Sequence, residues 1–102
     1  MKILHLTLKR KWFEMILRGE KPEEYREIKW HWIQRLTFDM IKHKSFDIVR
    51  FRNGYDKDAP TFDIEFRGIE IREGNPEWGA APSMKYFVIR LGKLIFGKNL
   101  DA

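Results

Sequence analysis

The first twenty residues change from a strand pattern to a helix pattern. Leucine alternates with other side chains over residues 3–8, which predicts a first β-strand with one apolar face. Apolar side chains then recur at helical spacing from Trp12 to Leu17, and Gly19 stands where a glycine commonly ends a helix. We therefore expect a strand followed by a short amphipathic helix whose aromatic rings fill the core.

A second strand and a second helix follow. Pro22 disfavours helical backbone at the preceding residue, and residues 23–28 alternate as a strand. This strand carries charged side chains on both faces, a pattern that few strands show unless one face lines a cleft. Residues 29–36 return to apolar side chains at helical spacing and predict a second short helix.

Three longer strands are predicted in the second half of the chain, at residues 46–51, 61–72 and 85–91. Asn53-Gly54 is a strong turn signal, and Gly68 allows a bulge or bend within the longest strand. Residues 92–96 are compatible with an extension of the last strand, after which we expect the chain to fray. Residues 73–83 form an irregular segment around Trp78, and such loops often rim functional sites.

These elements predict an α+β domain. About five or six mostly antiparallel strands with two short helices near the N-terminal half indicate a small sheet curled toward a barrel. A length of 102 residues supports one core, so residues 1–102 are expected to form a single domain. Forty-three per cent hydrophobic residues are consistent with a packed globule.

Composition narrows the classes of function. The chain has no cysteine, and its three histidines lack metal-ligand spacing, so we expect no disulfide, metal or other cofactor. The apolar run at the N-terminus is too short for a signal peptide, and no stretch reaches transmembrane length. We therefore expect a cytoplasmic protein without membrane association; the oligomeric state is not predictable.

The net charge of +5 is concentrated in one half of the chain. Residues 1–50 contain twelve Lys or Arg against seven Asp or Glu, whereas residues 51–102 contain eight of each. A basic excess of this kind favours an anionic partner, for which nucleic acid is the usual candidate.

The candidate chemistry lies in the same basic half. Lys21, Glu24 and Arg26 fall within six positions, and the last two point to the same face of an extended strand. Such a group can hold a polar or anionic ligand, or transfer protons. The alternative is an exposed strand whose charges only keep the protein in solution.

Aromatic and polar residues supply further candidates. Trp30 and Trp32 bracket His31, and they can stack on a nucleic-acid base or cap the core. Lys9 can line the mouth of a site near Lys21 or begin the first helix in solvent. Three residues in predicted loops are the best candidates to complete a cleft from the second half: Asn53, Tyr55 and Trp78.

The residues Gly19-x-Lys21-x-x-Glu24-x-Arg26, placed after a strand and a short helix, resemble the G-x-K-x-x-E-x-R signature of the ASCH domain family. That family belongs to the PUA-like superfamily of small β-barrels. The resemblance covers nearly the whole chain, including the turn at residues 51–55 and the strand at residues 86–89. It implies a PUA-like barrel with a cleft in which the motif residues face a ligand. It also implies RNA binding, by likeness to PUA domains.

One branch of that family is an amidohydrolase that acts on N4-acetylcytidine with a Lys, a Thr and a Glu. Lys21 matches its lysine, but Glu24 occupies the position of its threonine nucleophile. The resemblance therefore implies two alternatives. In a binding module, Lys21 and Arg26 contact phosphate or base edges and Glu24 accepts from an exocyclic amine. In an amide hydrolase, Glu24 activates water as a general base and Lys21 stabilises the oxyanion. We favour binding, because no residue supplies a convincing nucleophile.

Overall fold

The order of helices and strands follows the predicted alternation of patterns. The structure is a computed structural model that describes residues 1–100. Within them the chain forms β1 (Ile3–Thr7), α1 (Arg10–Leu17), β2 (Glu23–Glu27), α2 (Trp30–Leu36), β3 (Thr37–Phe38), β4 (Lys42–His43), β5 (Ile48–Arg52), β6 (Thr61–Glu73) and β7 (Lys85–Lys98). One turn of 3-10 helix lies at Pro76–Trp78, inside the segment predicted to be irregular.

The main sheet has five strands in the described part of the chain, in the order β1-β5-β6-β7-β2. β1 runs parallel to β5, and every other neighbouring pair in this sheet is antiparallel. The sheet curls into a half-barrel, which leaves β1 and β2 as its two edges. The predicted α+β class, with two helices and a curled, mostly antiparallel sheet, is confirmed at this level.

The main core fills the concave side of the sheet. The leucines of β1 pack there with apolar residues of β5, β6 and β7, and the helices contribute Phe13, Ile16 and Leu36. The prediction that the aromatic rings of α1 fill the core holds for Phe13, but Trp12 is only half-buried against this cluster. Helical position explains the difference, because adjacent residues on a helix point about 100° apart.

A second, smaller cluster covers the other face of β2 and β7. Tyr25, Tyr86, Val88 and Ala80 are buried together, and Trp78 packs against them. The segment after β6 thus lies on the outer face of the sheet, where it shields the tyrosine rings from water.

Two glycines have the backbone roles predicted for them. Gly19 follows the last turn of α1 with φ +78°, a left-handed conformation that glycine adopts without steric cost. Gly68 has φ +121°, and the β6–β7 register shifts between Asp63 and Gly68. The shifted register bends the long hairpin, which lets the sheet curl.

Two differences from the sequence-based expectation concern short or terminal strands. β3 and β4, each two residues long, form a hairpin in a stretch for which no element was predicted. Residues 39–41 join them, and Asp39 and Met40 have positive φ. Strands this short have no periodicity for a pattern to reveal. β7 continues through the predicted extension to Lys98, and the fraying expected of the last residues falls partly on 101 and 102, outside the described residues.

Candidate functional site

A cleft of about 700 Å³ opens where the two edges of the sheet approach each other. Residues of β1 and β2 line it together with Trp12 of α1 and with Trp32 and Arg35 of α2. The Arg26 side chain of β2 donates to the backbone oxygen of Thr7 on β1 over 3.3 Å, so it connects the two edges. The cleft is therefore a consequence of the curl of the sheet.

Lys21, Glu24 and Arg26 meet at the floor of this cleft. One carboxylate oxygen of Glu24 accepts from Lys21 Nζ, and the other accepts from Arg26 Nη1. The Lys21 residue is 1% exposed and Glu24 is 5% exposed. An exposed strand with solvated charges does not describe these two residues, since a buried ion pair costs desolvation that only close partners offset.

Burial also changes the proton affinity of the lysine. It lowers the pKa of Lys21, and attraction and hydrogen bonding from Glu24 oppose that shift. The ammonium group lies 5.2 Å from the ring centre of Tyr25 and 5.6 Å from that of Trp12. Two aromatic faces and one carboxylate therefore replace water around this cation.

Arg26 and Arg35 both lie against Trp32. Their guanidinium carbons are 5.0 and 5.1 Å from the indole centre, which is the range of cation–π contacts. Arg26 also donates to its neighbour's backbone oxygen over 2.8 Å, and Arg35 donates to the backbone oxygen of His5 over 3.0 Å. These bonds fix planar cationic groups along the wall of the cleft.

A separate polar network lies on the outer face of β2. Arg72 binds the Glu23 carboxylate with two hydrogen bonds of 2.6 and 3.0 Å. The Tyr25 hydroxyl donates to the same carboxylate over 2.5 Å. The backbone N–H of Asn75 donates to the same hydroxyl over 2.9 Å. Burial alone raises the pKa of Glu23, but hydrogen bonds from Arg72 and Tyr25 lower it overall. Burial raises the pKa of Tyr25 to about 12.

The lining of the cleft has more positive than negative charge. Four cations, Lys9, Arg26, Lys29 and Arg35, face two carboxylates, Glu24 and Glu27. Glu24 is held by the buried network, and Glu27 pairs with Lys29 over 2.8 Å. Among residues 1–100, Lys9 and Arg35 form no ion pair with a carboxylate, so they are free to meet an anion.

The structure brings part of the predicted set together. Glu24, Arg26, Trp32, Tyr55 and Lys9 line the cleft, and Lys21 lies buried directly behind Glu24. Tyr55 is 86% exposed at the mouth, so its ring has an open face.

Three predicted residues lie outside the cleft lining. Trp30 is exposed and borders a smaller cavity beside Met40. Asn53 donates to the backbone oxygen of Leu8 over 3.0 Å and lines a different cavity, next to α1. Trp78 packs on the tyrosine cluster. Loop position alone suggested Asn53 and Trp78, and it does not determine which way a side chain points.

Sequence reasoning did not select Trp12, Arg35 or His5, all of which line the cleft. Trp12 was assigned to the core, and Arg35 lies off the apolar face of the predicted second helix. A signal was available for His5 alone, because the alternation of β1 turns the residue between two buried leucines away from the core.

Comparison of the chain with models of protein families, with curated proteins and with solved structures finds no significant match. Within the described residues, His, Asp and Glu side chains form no group of three or more that could hold a metal ion. No helix of residues 1–100 is long and apolar enough to cross a membrane.

Proposed function

We propose that this protein binds RNA or a modified nucleoside in the cleft between β1 and β2. The observation that carries the proposal is the buried Lys21–Glu24–Arg26 network at the floor of a cavity of about 700 Å³. Small-molecule sites usually have volumes of about 300–1,000 Å³, so a nucleoside fits in size. Membership of the ASCH family, with a PUA-like barrel, is part of the same proposal and rests on the motif.

The side chains suit the separate parts of a nucleotide. Lys9 and Arg35, which have no carboxylate partner in the described chain, are placed to meet phosphate. The Glu24 carboxylate is an acceptor for an exocyclic amine, and the exposed ring of Tyr55 offers a face for a base. Lys21 is too buried to contact the ligand itself, so we assign it to holding the Glu24 carboxylate in place.

Titration of a fluorescently labelled single-stranded RNA tests the proposal, with Lys9→Gln as the variant and Lys11→Gln as its matched control. Both lysines are exposed and two residues apart, but only Lys9 lines the cleft. We expect Lys9→Gln to weaken binding and to make its salt dependence shallower by about 0.7 in the log–log slope. Lys11→Gln is expected to bind like the unchanged protein. Affinity that does not change with salt would contradict a phosphate-binding role.

A second candidate is hydrolysis of an N4-acetylcytidine-like amide. It is favoured by one observation, the lysine of lowered pKa hydrogen-bonded to a carboxylate beside a cleft. Glu24 would take a proton from water, the water oxygen would bond to the acyl carbon, and the C–N bond would break as the proton passes to the leaving amine. Lys21 would have to turn its buried Nζ toward the oxyanion, which is why binding is the primary proposal.

Acetate release from N4-acetylcytidine separates the two candidates. The hydrolase predicts release that is lost in Lys21→Ala while circular dichroism shows a folded protein. Release that survives in Lys21→Ala would contradict the role given to that lysine. Binding of N4-acetylcytidine without release, at enzyme concentrations that reveal slow turnover, would favour the binding module.

A further inference from the structure

The outer face of the sheet carries two rows of side chains that begin beside the cleft. One row crosses four strands as His5, Arg50, Asp63 and Phe96, which are directly paired from β1 through β5 and β6 to β7. The next row crosses the same strands as Thr7, Arg52, Thr61 and Lys98. Paired residues in neighbouring strands lie on the same face, so both rows face away from the core.

These rows border a second cavity of about 520 Å³. Its lining includes four cations, Arg50, Arg52, Lys57 and Lys98, and one carboxylate, Asp63. Asp63 holds Arg50 with two hydrogen bonds of 2.7 and 2.9 Å. The remaining three cations form no ion pair within residues 1–100, so this face has an excess of positive charge.

Phe96 lies among these cations although it is 61% exposed. An exposed aromatic ring beside lysine and arginine is the composition of surfaces that bind single-stranded nucleic acid. In such surfaces cations follow the phosphates and a ring stacks on an unpaired base.

The two cavities adjoin, because His5 lines both. The row from His5 to Phe96 spans three strand spacings of about 4.8 Å each, so the second cavity extends about 14 Å beyond the edge of the cleft. Each cavity alone has the volume of a small-molecule site, and a ligand that contacts both must contain more than one nucleotide.

We propose that the cleft and this outer face form one continuous track for single-stranded RNA. One nucleotide occupies the cleft, the chain passes His5, and the following nucleotides lie across β5, β6 and β7. Arg52, Lys57 and Lys98 contact their phosphates, and Phe96 stacks on a base. This inference rests on the proposed function and specifies its ligand as an oligonucleotide rather than a free nucleoside.

The test compares two probes: a mixed-sequence single-stranded RNA of about eight nucleotides, and cytidine monophosphate, which is too short to leave the cleft. Lys98→Glu tests the contribution of charge, and Lys85→Glu is its matched control. Both are exposed lysines on β7 and both change the net charge equally, but only Lys98 lines the second cavity. Phe96→Ala tests stacking, and Ile95→Ala is its matched control. Phe96 and Ile95 are 61% and 57% exposed, but only Phe96 lines the cavity.

We expect Phe96→Ala to weaken RNA binding by about fivefold or more, which corresponds to the lower limit measured for one stacked base. Lys98→Glu should weaken RNA binding and make its log–log salt slope shallower by about 0.7. Neither change should alter the affinity for cytidine monophosphate, and the two control variants should bind both probes normally.

Equal RNA affinity in all four variants would overturn the track while leaving the cleft as the binding site. An RNA duplex that binds as tightly as the single strand would also overturn it, since paired bases cannot stack on Phe96. If the unchanged protein binds neither the RNA nor cytidine monophosphate, the proposed function itself is overturned. Failure of the track and failure of the proposed function are therefore distinguishable.

Discussion

At the scale of single residues, the pair formed by Lys21 and Glu24 distinguishes this protein from one with ordinary surface charges. The two side chains are 1% and 6% exposed and are hydrogen-bonded to each other. The stability of each buried charge depends on its partner, because removing one leaves the other buried without a compensating charge.

Glu24→Gln is predicted to destabilise the protein by about 3 kcal/mol, since it preserves the shape of the side chain but removes the only carboxylate hydrogen-bonded to Lys21 in the described chain. Urea denaturation at neutral pH measures the change. Glu14→Gln is the matched control, because Glu14 pairs with Arg10 over 2.9 Å at the surface and its loss should cost less than about 1 kcal/mol. Equal effects of the two substitutions would contradict a buried, mutually dependent pair.

Tyr25 gives a prediction about pH. Its pKa is raised from 10.0 to about 12 by burial, so the folded protein retains a proton that the unfolded chain releases. Stability from this group is therefore complete below pH 10 and declines as pH rises toward 12. We expect Tyr25→Phe to be less stable than the unchanged protein near neutrality, because the hydrogen bonds to Glu23 and Asn75 are lost.

The stability difference between the unchanged protein and Tyr25→Phe should shrink between pH 10 and pH 12. Urea denaturation at several pH values measures it, and a difference that stays constant through pH 12 would be inconsistent with a buried, protonated tyrosine.

At the scale of elements, β2 has a different polar network on each face. Glu24 and Arg26 face the cleft. They pair across the strands with Ile89 and Phe87, which belong to the main core. Tyr25 pairs with Val88 on the opposite face, where the segment after β6 covers it. The backbone of that segment is held by Tyr25, whose hydroxyl accepts from Asn75.

Gly74→Ala is predicted to loosen this covering segment. A Cβ at residue 74 would lie 2.7 Å from both the Tyr25 ring and the Ala80 methyl group, closer than such atoms can approach. We expect a loss of about 1–3 kcal/mol in the free energy of unfolding, as for other overpacked sites. Urea denaturation measures the loss, and near-ultraviolet circular dichroism reports the altered tyrosine environment. Unchanged stability would show that the segment does not pack closely on Tyr25.

At the scale of the whole molecule, β7 joins the two apolar clusters. Phe87, Ile89 and Leu91 belong to the main core, whereas Tyr86 and Val88 belong to the smaller cluster. Because alternate residues of one strand support both faces, neither cluster can separate from β7 without disturbing the other.

Unfolding is therefore predicted to be a single cooperative transition. Trp12 and Trp32 pack against the main core and Trp78 against the smaller cluster, so tryptophan fluorescence samples both. Its midpoint in urea should coincide with the midpoint from far-ultraviolet circular dichroism. Two separated midpoints would show that the smaller cluster unfolds by itself.

The sequence-based predictions succeeded where the deciding interactions are local. The end of α1 just before Gly19 and the bend at Gly68 each depend on the backbone freedom of one residue. The grouping of Glu24 with Arg26 depends on the two-residue period of a strand. The hairpin of β3 and β4 was not predicted, because its strands are only two residues long.

Side-chain periodicity and turn residues act over a few positions, so they predicted the helices, the longer strands and the three charged residues of the motif. The three-dimensional fold was needed to establish which strands are neighbours, that β1 pairs in parallel with β5, and that Glu23 pairs with Arg72, 49 residues away. It also decided that Lys21 is buried and that Arg35 reaches the cleft. These features arise when a curled sheet brings distant segments together, and such contacts leave no period along the chain.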